Sequence, residues 1–209
     1  MSSIAMGIDA SGRLYKQKID ELKDYMKWKD LSPTTQRKVI KYYEVKYRGK
    51  FFEEQTLLHE MNDSLRMEIA AHNCRSLITK VPFLNRKMKD GRDDVFIGKV
   101  AMALSAFYFV PGDIVLSTGS TEPEMFFISS GSVDIYLNGK KISNLTAGHY
   151  FGELCLLSEN PHCSTTVQAI SSSVIYRLHR AELIPILHEF EDMRIKIASH
   201  CVQDEYNIE

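Results

Sequence analysis

A glycine and a glutamate at the start of a predicted short helix, Gly152 to Leu157, are the residues of this chain best suited to binding an anion. The first turn of a helix leaves its backbone N–H groups without intrahelical partners, so they can face a phosphate. The carboxylate of the glutamate can accept a hydrogen bond from a sugar hydroxyl. The residues that we expect to hold such a ligand are Gly152, Glu153, Leu154 and Cys155. A second interpretation of Glu153 is a first-turn acid that caps its own helix or pairs with a nearby base.

A second segment, His162-Cys163-Ser164, follows at short range and precedes a predicted strand. The Ser164 hydroxyl can donate a hydrogen bond to a phosphate, and Cys163 offers only a weak donor. His162 carries a positive charge mainly below its ordinary pKa of about 6.5. It can equally be a solvated loop histidine, so its contribution to the site stays open.

The first eighty residues have the spacing of apolar side chains that is typical of short helices. The expected helices are one through residues 15–26, one from an N-cap at Ser32 to Gly49, one through 57–58, and one from the capping residue Asn62 to 78. They have no obvious apolar partner of their own, which suggests a surface for another subunit. The alternative is a helical subdomain that folds against the rest of the same chain.

The pattern changes after Pro82. A charged segment at 85–94, whose basic stretch at 86–89 is interpreted as a loop insertion, and a short helix at 95–104 come next. They lead into strands separated by glycines about ten residues apart. Short strands at this interval predict an antiparallel β-roll, or jelly roll, over 107–178, interrupted by the Gly152 helix. Two helices, the first interrupted at Pro185, are expected over 180–205. The predicted fold class is therefore α+β, with a helical unit at 13–81 and a second domain at 82–209.

Composition excludes several function classes. The 26 basic and 27 acidic residues are nearly balanced, so no charge argument favours nucleic acid. No apolar run approaches the roughly 20 residues that a membrane helix needs, and the N-terminus does not have the pattern of a signal peptide. Four cysteines without a C-x-x-C pair indicate reduced thiols in a cytosolic protein rather than a metal site. We find no nucleophile with a base and no phosphate-binding P-loop, and we predict that the chain is not an enzyme.

The glycine–glutamate helix resembles the phosphate-binding cassette of cyclic-nucleotide-binding domains. Pro111-Gly112-Asp113, Gly119, Phe127-Ile128 and Gly131 recur in the same order in that fold. The helical half is similar to the C-linker of hyperpolarisation-activated, cyclic-nucleotide-gated (HCN-type) channels. The segments that carry this likeness are Lys23-Asp24-Tyr25-Met26, Tyr42-Tyr43-Glu44, Tyr47-Arg48-Gly49-Lys50, Leu65-Arg66-Met67-Glu68-Ile69 and Asn73-Cys74-Arg75.

The resemblance covers about residues 13 to 203 and implies a cytoplasmic regulatory domain of a plasma-membrane cation channel. It implies a homotetramer assembled through the helical C-linker, with Tyr42, Tyr43 and Tyr47 near the subunit contacts, and a transmembrane channel domain in the same polypeptide. The ligand that it implies is cAMP or cGMP, with no other cofactor required.

Two departures from the family pattern predict that nucleotide binding is weak or lost. The cassette arginine that pairs with the phosphate is absent, and its position is held by Cys163, or by His162 if the spacer is counted from Glu153. An ungapped alignment from Met193 places Asp204 where HCN-type channels carry a basic residue over the purine. Together these losses weaken binding by roughly 2–4 kcal/mol, about thirty- to a thousandfold, if they are independent.

Other functions remain as alternatives. The domain can still be fully cAMP-responsive through Gly152, Glu153 and Ser164. A more remote alternative is a transcription regulator, which needs a helix-turn-helix after the last helix, and the chain shows none before Glu209. The other remote alternative, a kinase regulatory subunit, needs an inhibitor segment and an intact cassette arginine.

Overall fold

The computed structural model describes residues 9–49, 51–52, 54–158 and 160–206, with the side chains of Gln55 and of residues 200–206 left out. The helices are α1 (Ala10–Trp28), α2 (Pro33–Tyr47), α3 (Glu54–His59), α4 (Asp63–Ile78), α5 (Asp93–Ala103), α6 (Glu153–Leu157), α7 (Arg180–Glu189) and α8 (Glu191–Tyr206). The strands are β1 (Ser105–Phe109), β2 (Ile114–Leu116), β3 (Glu124–Ser130), β4 (Ser132–Leu137), β5 (Lys140–Thr146), β6 (Tyr150–Phe151), β7 (Thr165–Ala169) and β8 (Ser173–His179). This order confirms the predicted α+β class, with helices first and a roll after them.

Side-chain caps begin the helices where the sequence predicted them. The Ser32 hydroxyl oxygen accepts a hydrogen bond from the Thr35 N–H at 3.2 Å, and Asn62 Oδ1 accepts one from the Leu65 N–H at 2.9 Å. Such caps satisfy N–H groups that the first helical turn leaves without a partner. Helix α7 differs from the expectation, because it continues through Pro185 as a single helix.

The strands form two antiparallel four-stranded sheets with the orders β1-β8-β3-β6 and β2-β7-β4-β5. Non-consecutive neighbours in both sheets are what a roll requires, since the chain crosses between layers instead of folding back hairpin by hairpin. Helix α6 follows the two-residue strand β6, which pairs with β3. The chain then leaves α6 and re-enters the other sheet as β7, so α6 lies where the two sheets meet.

Two apolar clusters make up the described core. One lies inside the roll and contains the side chains that face α6, among them Phe126, Phe151 and Val167. The other joins α4, α5, α7 and α8 to the outer side of the roll and includes Phe96, Phe127 and Phe190. The helices before and after the roll therefore share one core, which supports folding of α4 against the rest of the same chain.

The tyrosines of α2 pack within the chain. Tyr42 lies edge-on to Tyr108 of β1 at 6.2 Å between ring centroids, and Tyr43 contacts Tyr47 at 5.7 Å. The large apolar side chains that α1 leaves exposed are Leu14, Tyr25 and Trp28, the last with 75% of its surface accessible. Contact of the α2 tyrosines with another subunit stays a prediction.

Arg86 lies in the loop predicted from the charged segment, but its side chain is only 3% exposed. Its guanidinium donates to Asp192 at 2.8 Å, to Asp90 at 2.6 Å and to Asp93 at 2.6 Å. The guanidinium holds the pKa of Asp90 well below its usual range, and backbone N–H groups of the loop together with Arg86 lower that of Asp93. This cluster joins the loop to the first turns of α5 and α8. Among the described residues, no helix combines the length and hydropathy needed to cross a bilayer.

Candidate functional site

Gly152 makes the turn from β6 into α6. Its φ is +84°, in the left-handed region that glycine adopts without strain. A Cβ at this position would lie 2.9 Å from the carbonyl oxygen of Glu124 and 3.3 Å from the Cα of Met125. Only glycine therefore lets α6 begin directly against the backbone of β3.

The first turn of α6 is the part of the predicted site that can face an anion. The Leu156 N–H donates to the Gly152 carbonyl at 3.0 Å, which is the first hydrogen bond of the helix. The N–H groups of residues 153–155 come before this bond in the chain and have no carbonyl partner within the helix. Glu153 is half-buried, and half of the Leu154 surface is exposed. The roles predicted for these residues toward a ligand stay predictions.

Cys155 and Cys163 are joined as a disulfide, the α6–β7 bridge. Both side chains are buried in the core of the roll. Two backbone hydrogen bonds fix Cys163, whose N–H donates to the Ser120 carbonyl at 2.9 Å and whose carbonyl accepts from the Gly119 N–H at 2.8 Å. The expectation of reduced thiols is therefore wrong for this pair, because the fold brings α6 and the segment before β7 into contact although the sequence contains no short cysteine spacing. Cys74 is free and buried.

The other predicted residues surround the bridge or lie outside what can be described. His162 and Ser164, on either side of Cys163, are exposed. The Ser164 carbonyl accepts a hydrogen bond from the Thr118 hydroxyl at 3.5 Å. Asp204 lies within α8, and its side chain is outside the described part.

Arg180 is a cation near this site that the sequence analysis missed. Its Nε donates to the Leu156 carbonyl at 2.6 Å, and its Nη2 donates to the carbonyls of Cys155 and Ser158. These carbonyls lie at the C-terminal end of α6, where a positive charge is favourable. The guanidinium therefore holds the end of α6 opposite to the predicted anion site. An arginine one residue after a strand gives no sequence signal for this contact.

Glu122, Glu124 and His179 bring their ligand atoms within 4.8 Å of one another, the spacing that a metal ion needs. Glu124, however, pairs with Arg177 at 3.0 Å, and His179 Nδ1 accepts a hydrogen bond from the Ala181 N–H at 3.0 Å. In a neutral ring whose Nδ1 accepts, the proton is on Nε2, the nitrogen that faces Glu122. The cluster is thus better suited to hydrogen bonding than to holding a metal.

Comparison with known proteins matches this region to a protein family. The model of the cyclic nucleotide-binding domain matches residues 106–190, which run from β1 through α6 to the end of α7. This range includes every predicted site residue except Asp204.

Curated relatives extend the likeness into the helical half. The chain is 32% identical over 193 residues, 92% of its length, to potassium/sodium hyperpolarization-activated cyclic nucleotide-gated channel 4 of Homo sapiens. The same identity and coverage relate it to channel 3 of Homo sapiens and to channel 1 of Oryctolagus cuniculus. The aligned region spans 16%, 24% and 21% of these relatives, respectively. Residues 106–190 therefore form a cyclic nucleotide-binding domain of the type found in hyperpolarisation-activated channels.

Proposed function

We propose that this chain is a cytoplasmic regulatory and tetramerisation module of a voltage- and cyclic-nucleotide-gated cation channel. In this proposal residues 13–81 form the C-linker, residues 82–209 form the nucleotide-binding domain, and the transmembrane part of the same polypeptide carries the pore. The likeness to channels over 92% of the chain supports this assignment. The roll acts on the gate through the helices that share its outer core.

Weak or absent nucleotide binding is the second part of the proposal, and the burial of Cys163 is the observation that carries it. Its side chain is 3% exposed, uncharged and paired with Cys155, so it offers no cation to a phosphate. The nearby guanidinium of Arg180 is committed to the carbonyl end of α6. A phosphate that leaves water without a guanidinium partner loses a charge-assisted, bidentate interaction.

Calorimetric titration with cAMP and with cGMP tests this part. Under reducing conditions we expect Cys163→Arg to bind at least about tenfold more tightly than the unmodified protein, roughly 1.4 kcal/mol. Cys163→Ser is the matched control, because it also removes the bridge but adds no charge. Equal affinities of the arginine and serine variants would contradict the argument. Submicromolar cAMP affinity of the unmodified protein at pH 7.5 would support the fully responsive alternative, in which Gly152, Glu153 and Ser164 carry the site.

His162 is tested separately, because it is the exposed basic group beside Cys163. If it supplies the missing charge, affinity increases as the pH falls from 7.5 to 6, since protonation of the ring is then more complete. His162→Ala would remove this dependence. A flat affinity over this range would exclude His162 as the substitute.

Assembly through the helical half is supported by the apolar surface of α1. Leu14 and Tyr25 are about half exposed, at 50% and 51%, and Trp28 is 75% exposed. We propose that these side chains pack against another subunit of a homotetramer. The contact is weak in isolation, because the membrane part of a channel raises the effective concentration of its subunits.

Light scattering over a range of protein concentrations tests assembly. We expect a concentration-dependent increase in mass that Trp28→Ala reduces. Met88→Ala is the control, since Met88 is also exposed, at 59%, but lies in the loop before α5. A strict monomer at high concentration, or equal loss in both variants, would contradict the proposed surface.

A further inference from the structure

The α6–β7 bridge connects the two segments that together make up the predicted nucleotide site. Cys155 is the third residue of α6, in the turn whose N–H groups can face an anion. The resemblance places the family's phosphate-binding arginine at Cys163, or at its neighbour His162. The two Cα atoms are 6.3 Å apart, within the range that a disulfide can span. The bond therefore fixes the distance between the elements that an anionic ligand would have to separate.

We propose that this disulfide is reversible and that its oxidation state controls the nucleotide site. The inference rests on the proposed function and adds a mode of regulation to it. The oxidant is a small-molecule disulfide such as oxidised glutathione. One cysteine thiolate attacks it and forms a mixed disulfide, which releases one glutathione thiolate. The second cysteine thiolate attacks the protein sulfur of the mixed disulfide and releases the second glutathione, so two thiols are oxidised and one glutathione disulfide is reduced.

The oxidised form restricts how the two segments can respond to an anion. Both cysteine side chains are buried and bonded to each other, so neither can turn toward a ligand, and their Cα atoms are held 6.3 Å apart. The bridge also lies among the apolar side chains of the roll, where Leu116 and Val167 are buried beside it. Reduction removes the covalent restraint and allows α6 to move away from β7. Oxidation and nucleotide binding therefore oppose each other, and each weakens the other by the same factor.

The purified protein is equilibrated with mixtures of reduced and oxidised glutathione, and its free thiols are then alkylated. Peptide mass spectrometry identifies which cysteines are linked and which are alkylated. We expect the peptides that contain Cys155 and Cys163 to interconvert between a linked and an alkylated form as the glutathione ratio changes. Cys74→Ala should show the same titration, and Cys155→Ser should show no linked peptide. A pair that never links under oxidised glutathione, or that stays linked under excess reduced glutathione, would overturn the proposal.

The effect on the site is measured by hydrogen exchange and by titration with fluorescent cAMP. In the oxidised protein we expect the amides of residues 153–157 to exchange at least about tenfold more slowly, because the bridge suppresses local opening of α6. Nucleotide affinity should be at least about tenfold lower in the oxidised form, within the usual range of coupling between sites. Cys155→Ser should bind alike in both buffers.

The outcomes separate the two proposals. Equal nucleotide affinity of the oxidised and reduced protein would overturn redox control and leave the nucleotide site intact. If the reduced protein and Cys155→Ser bind no nucleotide at any concentration tested, redox control of the site is overturned, whereas the proposed loss of nucleotide binding is supported. Unchanged exchange of α6 between the oxidised and the reduced protein would also overturn the inference.

Discussion

Replacement of Gly152 by alanine tests the claim that α6 must begin directly against β3. Gly152 has a φ of +84°, and an added Cβ would meet the Glu124 carbonyl oxygen at 2.9 Å. The atom that it meets belongs to the backbone of a central strand, so it cannot rotate away as a flexible side chain would. The helix must therefore move for alanine to fit.

The magnitude follows from two separate costs. An L-residue in the left-handed region costs about 1–2 kcal/mol, and reduced freedom of the unfolded chain offsets about 0.4–1 kcal/mol of this. Forcing extra volume into a well-packed site adds about 1–3 kcal/mol. Gly139→Ala is the matched control, because Gly139 has a φ of +76° but no atom within 4 Å of the added Cβ. We expect Gly139→Ala to lower the free energy of unfolding by about 1 kcal/mol and Gly152→Ala by about 2–3 kcal/mol.

Urea denaturation of both variants at one pH provides the measurement, and the difference between them isolates the steric cost. For a chain of this size the additional 1–2 kcal/mol corresponds to a difference in Tm of roughly 2–8 °C. Equal destabilisation of the two variants would refute the close approach of α6 to β3. An m-value that changes in only one variant would indicate an altered unfolded or native ensemble instead.

Three other predictions follow from the ion pairs and the bridge. Arg86→Met should lower the urea midpoint well below that of Lys87→Met, because only the first change removes the buried guanidinium that pairs with three neighbouring carboxylates; equal midpoints would contradict this. The pKa values of Asp90 and Asp93 are lowered from 3.8 in the folded protein, so their stabilisation is present above that pH and is lost as the pH falls through the folded values. Urea midpoints at pH 5 and 3.5 should therefore differ less in Arg86→Met than in the unmodified protein. Reduction of the α6–β7 bridge, whose cysteines are 8 positions apart, should lower the free energy of unfolding by about 2.5 kcal/mol, and an unchanged midpoint under reductant would contradict this.

The order of elements was predictable because local signals agree with the tertiary structure along most of the chain. Ser32 and Asn62 begin their helices with the side-chain hydrogen bonds that their residue types favour. The glycines between strands sit at left-handed φ values, as Gly112 does at +95°. Pro185 was misleading, because the loss of one helical hydrogen bond inside α7 is compensated by packing of Leu183 and Ile186 into the core.

Long-range contacts within the site were not predictable from spacing. The chain between Cys155 and Cys163 leaves the helix and enters the opposite sheet, so their approach depends on how the two sheets pack. Arg86 shows the same limit. A basic loop residue next to Lys87 suggests a solvated side chain, yet Asp192 approaches it from a helix that begins 105 positions later in the sequence. Charge patterns predict which residues can pair, but only the packed core determines which of them do.

These long-range contacts connect α6 to the helical half through directional bonds. Arg180, the first residue of α7, holds the carbonyl end of α6, and α8 begins directly after α7. Asp192 in the first turn of α8 is bonded to Arg86, which is bonded in turn to Asp93 at the start of α5. Helix α5 packs along α4 in the shared core. Hydrogen bonds of charged side chains have discrete geometries, so these contacts form a continuous set of directional bonds between α6 and the helices. The coupling that we propose between the roll and the helices needs such continuity.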